Sequence, residues 1–286
     1  MIQIVSDSTC DLTPELIERY QIQILPLHVV LGDEEFLDGV TIHPDEIYAW
    51  SDAHKTTPKT SAPSLADAVS LFEPILAQGN SIVAFSISTD MSTSYNCMQL
   101  AARELEAQDR IVVIDSANLS TGIGHLVIEA AIMAQNGHSL EEIKTEIEQL
   151  KPFVRSSFVV DTLTYLYRGG RCSGLSALAG SALKLHPKIV VEKGVMHATK
   201  KYRGAYASVV LSYVKDMEPM LMTAKNERVF ITHSGIDPAI ANSVREYLES
   251  LNVFDEILET RAGGVISSHC GYGTLGVLFI SRPTYS

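Results

Sequence analysis

The sequence predicts an α/β protein built on a parallel sheet, and two observations carry that prediction. Three short β-branched or apolar runs, Ile2–Val5, Ser81–Phe85 and Ile111–Asp115, each lead through a polar turn into the start of a helix. Repeated strand–helix alternation of this kind lays helices over a parallel sheet. All three runs also end in hydroxyls or an acid, and in such folds ligands sit at the carboxyl ends of strands.

Taken in order, Ile2–Val5 runs into Ser6-Asp7-Ser8-Thr9, and Thr13-Pro14-Glu15 opens a helix with a capping hydroxyl, proline at the first position and an acid in the first turn. Asp7 and Ser8 can either cap this turn or face a ligand. Ile22–Val30 is apolar and extended, and the turn residues Leu31-Gly32-Asp33-Glu34 make it a hairpin-like excursion that ends in Phe36-Leu37-Asp38-Gly39. Pro44-Asp45-Glu46 opens the next helix. Residues 55–64 form a hydroxyl-rich loop with two prolines, in which Ser64 and Asp67 make a capping box and leave Thr60 and Ser61 free. Ser81–Phe85 ends in Ser86 to Tyr95, a hydroxyl-dense loop that leads into a helix through about Glu106. The free N–H groups and dipole of that helix start favour an anion, although Ser92 also suits an N-cap. After Ile111–Asp115, Gly122-Ile123-Gly124 lacks the third glycine of a dinucleotide fingerprint. Ser139 and Glu142 cap a helix whose Leu140, Ile143, Ile147 and Leu150 share one face.

Beyond Lys151-Pro152 the pattern changes, which predicts domains at 1–152 and 153–286. Strands are expected at Ser157–Val160, Val229–Ile231 and Phe254–Leu258, and a hairpin at Pro187–Glu192 and Gly194–Ala198. Helices are expected at Leu175–Leu185, near 205–222 and near 238–251, with Arg168-Gly169-Gly170-Arg171 as a turn. Ile266 to Gly276 reads as a Gly-rich turn carrying Ser267, Ser268 and His269, just before the apolar run Val277–Ile280.

Composition bounds the function. A chain of 286 residues, 46% hydrophobic and 20% charged, can bury a substantial core in two domains or one large one. Its net charge of −12 argues against nucleic-acid binding. Met1 to Ser6 has no basic or long apolar segment of a signal peptide, and no run reaches the ~18 apolar residues of a spanning helix, so a cytoplasmic protein is expected. Cys10, Cys97, Cys172 and Cys270 form no C-x-x-C pair and read as reduced thiols, with a disulfide or metal site as the weaker alternative. Arg168 to Arg203 holds eight basic residues and one acid, a local +7 that suits an acidic partner, a phosphate or an anionic membrane surface.

The chemistry favours binding over catalysis. No Gly-x-Ser-x-Gly elbow, P-loop or His-x-x-x-His occurs. Hydroxyls at strand ends with one histidine suit a carboxylate headgroup, and a serine-dependent esterase using Ser92 and His269 is the alternative.

Several stretches together resemble the DegV family of bacterial fatty-acid-binding proteins. They are Ser6-Asp7-Ser8-Thr9-Cys10-Asp11-Leu12, Thr60-Ser61-Ala62-Pro63-Ser64, Ser88 to Tyr95, Asp115-Ser116 with Gly122 and Gly124, Arg168-Gly169-Gly170-Arg171, and His269 with Gly271-Tyr272-Gly273. Ser92-Thr93-Ser94 and Gly271-Tyr272-Gly273 replace the family's usual Ser-Gly-Thr and Gly-Pro-Gly. The resemblance implies a two-domain fold, parallel-sheet N-terminal and mixed-sheet C-terminal, with a long-chain fatty acid between the domains. It places the carboxylate at Thr60, Ser92 and His269, with Ser61 and Thr93 beside them. It also implies a non-catalytic carrier without cofactor or metal, which presents the acid to a fatty acid kinase subunit for acyl-phosphate formation in phospholipid synthesis. Arg168, Arg171 and Arg203 are the residues expected to face that kinase or an anionic membrane.

Overall fold

A computed structural model describes residues 1–173 and 185–283. The N-terminal half runs β1 (Ile2–Asp7), α1 (Pro14–Arg19), β2 (Gln23–Leu25), β3 (His28–Leu31), β4 (Glu34–Leu37), α2 (Pro44–His54), β5 (Lys59–Ser61), α3 (Leu65–Ala77), β6 (Ser81–Ser86), α4 (Ser94–Glu104), β7 (Ile111–Asp115), α5 (Thr121–Gln135) and α6 (Leu140–Leu150). A short 3-10 turn at Lys151–Phe153 leads to β8 (Val154–Val159), α7 (Thr164–Gly169), β9 (Cys172–Ser173), β10 (Leu185–Glu192) and β11 (Val195–Arg203). The chain ends with α8 (Tyr206–Asp216), α9 (Glu218–Leu221), β12 (Ala224–His233), α10 (Pro238–Ser250), β13 (Glu256–Arg261), α11 (Gly264–Cys270) and β14 (Leu275–Ser281).

Local chemistry sets many of these boundaries. Ser64 with Asp67 and Ser139 with Glu142 form complete capping boxes on α3 and α6. Thr13 and Asp237 accept from backbone N–H groups of α1 and α10, each with proline in the first turn. α6 turns Ile143, Ile147 and Leu150 inward, as its spacing requires.

Three sheets result. β2-β1-β6-β7 is wholly parallel, β13-β12-β14-β8-β10-β11-β9 is mixed, and β4-β3-β5 is antiparallel. The first two are the parallel N-terminal and mixed C-terminal sheets of the predicted α/β class. The chain passes from one to the other at Lys151–Phe153. Strand order reverses between β1 and β6, which opens a crevice at their carboxyl ends. α5 fills the space between the two large sheets, with Ile123, Leu126, Val127 and Ile128 fully buried. One apolar cluster therefore joins Ile4 and Phe85 of the first sheet to Phe158, Phe230 and Leu278 of the second. Gly124 lets the Cys10–Leu12 turn lie against α5, since a Cβ there would come within 2.8 Å of the Leu12 side chain. These glycines serve packing, not a nucleotide.

Four segments differ from the sequence reading. Ile22–Val30 divides at Pro26, where one part joins β1 and the other starts the small sheet. The proline loop at 55–64 contains β5, an edge strand pairing Thr60 with Val29, and edges are where flanking prolines are tolerated. Arg168 and Gly169 close the helix α7, with Gly170 as its left-handed cap. The stretch from Ile266 to Cys270 is helical and only its second half is a turn. The helix expected at Leu175–Leu185 lies outside the described residues, apart from Leu185, which opens β10.

Candidate functional site

The crevice holds a cavity of about 490 Å³, within the ~300–1,000 Å³ of ordinary ligand pockets. Its wall comes from the carboxyl-end loops of β2 (Leu27), β6 (Ile87 and Thr89 to Thr93) and β7 (Leu119), from Thr60, Ser61 and Ala62 at the small sheet, from Met196 of β11, and from α11. Leu27, Ile87, Leu119, Val265 and Ile266 are buried and make an apolar inner end.

The carboxylates of the first turn do not enter this cavity. Asp7 accepts from Thr9 N and from Ile87 N at 2.8 Å, tying β1 to the β6 loop. Ser8 Oγ donates to Asp38 at 2.8 Å and accepts from Leu27 N at 3.1 Å. Asp11 accepts from Gly263 N at 2.8 Å and Asp38 from Gly264 N at 2.6 Å, so two buried carboxylates fasten the start of α11. Burial pushes Asp7 up to about 6 and Asp11 up to about 8, and raises Asp38 as well, against the hydrogen bonds each accepts. Of the two residues whose role was left open, Asp7 caps the turn, whereas Ser8 bridges Asp38 and Leu27 N.

α11 in turn presents His269. Its Nε2 lies 2.7 Å from Thr60 Oγ1, across 209 residues of sequence. Nδ1 is buried without a partner and faces Gly169, where an added Cβ would come within 2.5 Å of it. Leaving a bare lone pair at Nδ1 costs less than leaving a bare N–H. Nε2–H therefore donates to Thr60, and the Thr60 hydroxyl proton is free to meet an acceptor in the cavity. Burial, with the Arg171 guanidinium nearby, pulls the imidazole down from 6.5 to about 4. The ring is neutral near pH 7.

All five expected headgroup residues line this one cavity: Thr60, Ser61, Ser92, Thr93 and His269. Thr60 and His269 touch directly. Ser61 and Thr93 are exposed, and Ser61 Oγ reaches towards Glu35 at 3.5 Å. Ser92 Oγ pairs with Ser94 Oγ at 2.9 Å and accepts from Ser94 N while facing the cavity, whereas the N-cap position of α4, expected at Ser92, is Thr93. Arg171 also joins the wall, its Nη1 donating to Gly169 O at 2.7 Å. Arg168 and Arg203 are exposed and outside it. Arg203 ends β11, seven residues beyond Met196, the partner of Cys172. At ~3.3 Å per residue that is roughly 20 Å from the Arg171 end, so the three arginines do not form one cluster. Tyr272 lies outside the cavity, edge-on to Tyr48 at 5.7 Å.

Sequence reasoning missed Asp38, which sits in an ordinary Asp-Gly turn signal, and Gly169, whose role is to let an imidazole approach. Among the described residues no disulfide joins the cysteines, and no group of three or more His, Cys, Asp or Glu gathers as a metal site. The arrangement can hold an anionic headgroup against neutral donors with an apolar tail behind it.

Known proteins share this architecture. Residues 1–282 match the family described as "Uncharacterised protein, DegV family". A DegV domain-containing protein of Clostridium perfringens is 31% identical over 289 residues, covering 98% of this chain and 99% of its own. The structure of a DegV family protein from Thermus thermophilus, described as showing fatty acid binding, superposes with a TM-score of 0.89 at 30% identity, over 98% of this chain and 99% of that one. A stearic acid-binding protein from Eubacterium ventriosum gives a TM-score of 0.84 at 30% identity, with 98% of each chain covered. With the match running through both sheets and the cavity between them, the chain belongs to the DegV family.

Proposed function

We propose that this protein is a cytoplasmic, non-catalytic carrier of a long-chain fatty acid, which presents the carboxylate to a fatty acid kinase subunit for conversion to an acyl phosphate. The observation that carries the reading is the meeting of Thr60 and His269 in a cavity whose inner end is apolar. The Thr60 hydroxyl, the neutral imidazole and the hydroxyls of Ser61, Ser92 and Thr93 receive the carboxylate, with the Arg171 cation at the same wall. Leu27, Ile87, Leu119 and Ile266 receive the tail. Each buried CH₂ contributes ~0.8 kcal/mol, so a long tail gives a gross gain on the order of 10 kcal/mol. A hydrogen bond to the charged head adds about 1.5–3 kcal/mol. The tail sets affinity and the head sets orientation. Arg168 and Arg203, exposed outside the cavity, face the kinase and, in transit, an anionic membrane surface.

The relatives described as fatty-acid-binding support this reading. A serine hydrolase is not favoured, because the described hydrogen bonds of Ser92 run to Ser94 and not to His269. Native mass spectrometry of the purified protein, followed by lipid extraction, tests the proposal. An added mass matching a fatty acid is expected. A protein that is free of acyl chains and takes none up from added palmitate overturns it.

A further inference from the structure

Behind the main cavity lies a second void of about 20 Å³, and the two share Leu119, Ile266 and Cys270 in their walls. All three side chains are buried. The void rests on the mixed sheet, where Phe158, Gly276 and Thr232 stand side by side on β8, β14 and β12. It is no larger than the space of about one water molecule.

Its hydroxyls are already engaged. Thr232 Oγ1 pairs with Thr121 at 2.7 Å and with Thr260 at 2.9 Å. Thr274 Oγ1 donates to Cys270 O at 3.0 Å, Ser234 Oγ donates to Gly271 O, and Ser120 Oγ donates to Asp11. His233 Nδ1 accepts from Gly235 N at 3.2 Å and its Nε2 pairs with Glu259 at 3.3 Å. These hydroxyl protons are committed within the protein and the rest of the wall is mainly Leu119, Phe158, Ala262, Ile266, Cys270 and Leu278, so the void favours an apolar guest over a water.

We infer that Leu119, Ile266 and Cys270 form a partition that gauges acyl chain length, and that the void behind it receives the terminal methyl end of the longest chains the protein accepts. This rests on the fatty-acid reading and extends it to the class of acid selected. The partition stops shorter tails, and the far wall of the void stops the longest. Each methylene denied a place loses about fourfold in affinity.

Two substitutions move that limit in opposite directions. Ala262 borders the void and is buried, so Ala262→Val fills it, whereas Ile266→Ala opens the partition. Affinities for C12, C14, C16 and C18 saturated acids are measured by calorimetry on wild type and both variants, with thermal melts to confirm folding. Ala262→Val is expected to leave C12 unchanged and weaken the longest accepted acid by about fourfold to fifteenfold. Ile266→Ala is expected to shift the preference towards longer acids, and Ile266→Val gives the same sign if the alanine variant does not fold. Equal changes at every chain length, or an unchanged length profile in both variants, overturn the partition while leaving fatty-acid binding intact. No binding of any acid by wild type overturns both.

Discussion

Lowering the pH isolates the imidazole that the site is built around. His269 is held near pKa 4 instead of 6.5, chiefly by burial and secondarily by Arg171. Below about pH 6.5 the unfolded chain takes up a proton at this residue, while the folded chain does not until about pH 4. Stability from this residue therefore falls as pH falls through that window. The gap of 6.5 − 4 = 2.5 pH units, at ~1.36 kcal/mol each, gives about 3 kcal/mol at the bottom of the window. Part of the ring faces the open cavity, so solvent screening makes this an upper limit. Asp7 and Asp11 act with the opposite sign. Their folded carboxyls keep protons to about 6 and about 8 while the unfolded ones release them near 3.8, so they favour the folded state at low pH. Only the difference between wild type and His269→Gln reports the imidazole. Urea unfolding from pH 7 to pH 4.5 should show the variant gaining on wild type by up to ~2.5 kcal/mol. A constant difference, or one that moves the other way, refutes a neutral imidazole at this position.

Four further outcomes are expected. Gly169→Ala would place a Cβ 2.5 Å from His269 Nδ1, displacing the ring, and the imidazole NMR titration should move up from about 4; an unmoved titration removes Gly169 as a positioning residue. Asp38→Ala strips the acceptor from Gly264 N and Ser8 Oγ and should cost about 1–3 kcal/mol in denaturant unfolding, with a change near zero contradicting its role in fastening α11. His269→Ala should lower kinase-coupled acyl-phosphate formation more than lipid retention, because the tail carries most of the affinity; equal losses in the two assays would contradict that division. Arg203→Ala should leave fatty-acid retention unchanged and slow acyl-phosphate formation, and reduced retention measured by mass spectrometry would show that the residue serves the cavity instead.

Much of the frame was legible in the sequence because its signals are local. Capping boxes at Ser64 and Ser139 act within one helical turn, and the apolar face of α6 follows from residue spacing alone. The hydroxyls at 60–61 and 92–93 could be named because they lie in hydroxyl-rich stretches, 55–64 and 86–95, that match short motifs of the family. What stayed hidden depends on contacts across the fold. β5 is a strand only because β3 offers it an edge, and its prolines argue for a loop when read alone. Asp38 looks like a turn residue until α11 arrives, 226 residues later, to be held by it. Gly169 looks like a turn glycine, although its lack of a Cβ makes room for His269. The basic run 168–203 reads as one patch in sequence, yet the length of β11 carries Arg203 away from Arg171. Leu119 and Ile266 look like any other core residues, and only the cavity separates the two roles.

The central claim is that a fatty-acid carboxylate sits at Thr60 and His269. Palmitate labelled with ¹³C at its carboxyl carbon, bound to the protein and observed by NMR, tests it most directly. The account predicts one bound carboxyl resonance, shifted from that of free palmitate, which moves in Thr60→Val and in His269→Ala and stays in place in Arg203→Ala. A bound resonance indifferent to Thr60 and His269 would contradict the account, as would palmitate that never leaves its free position.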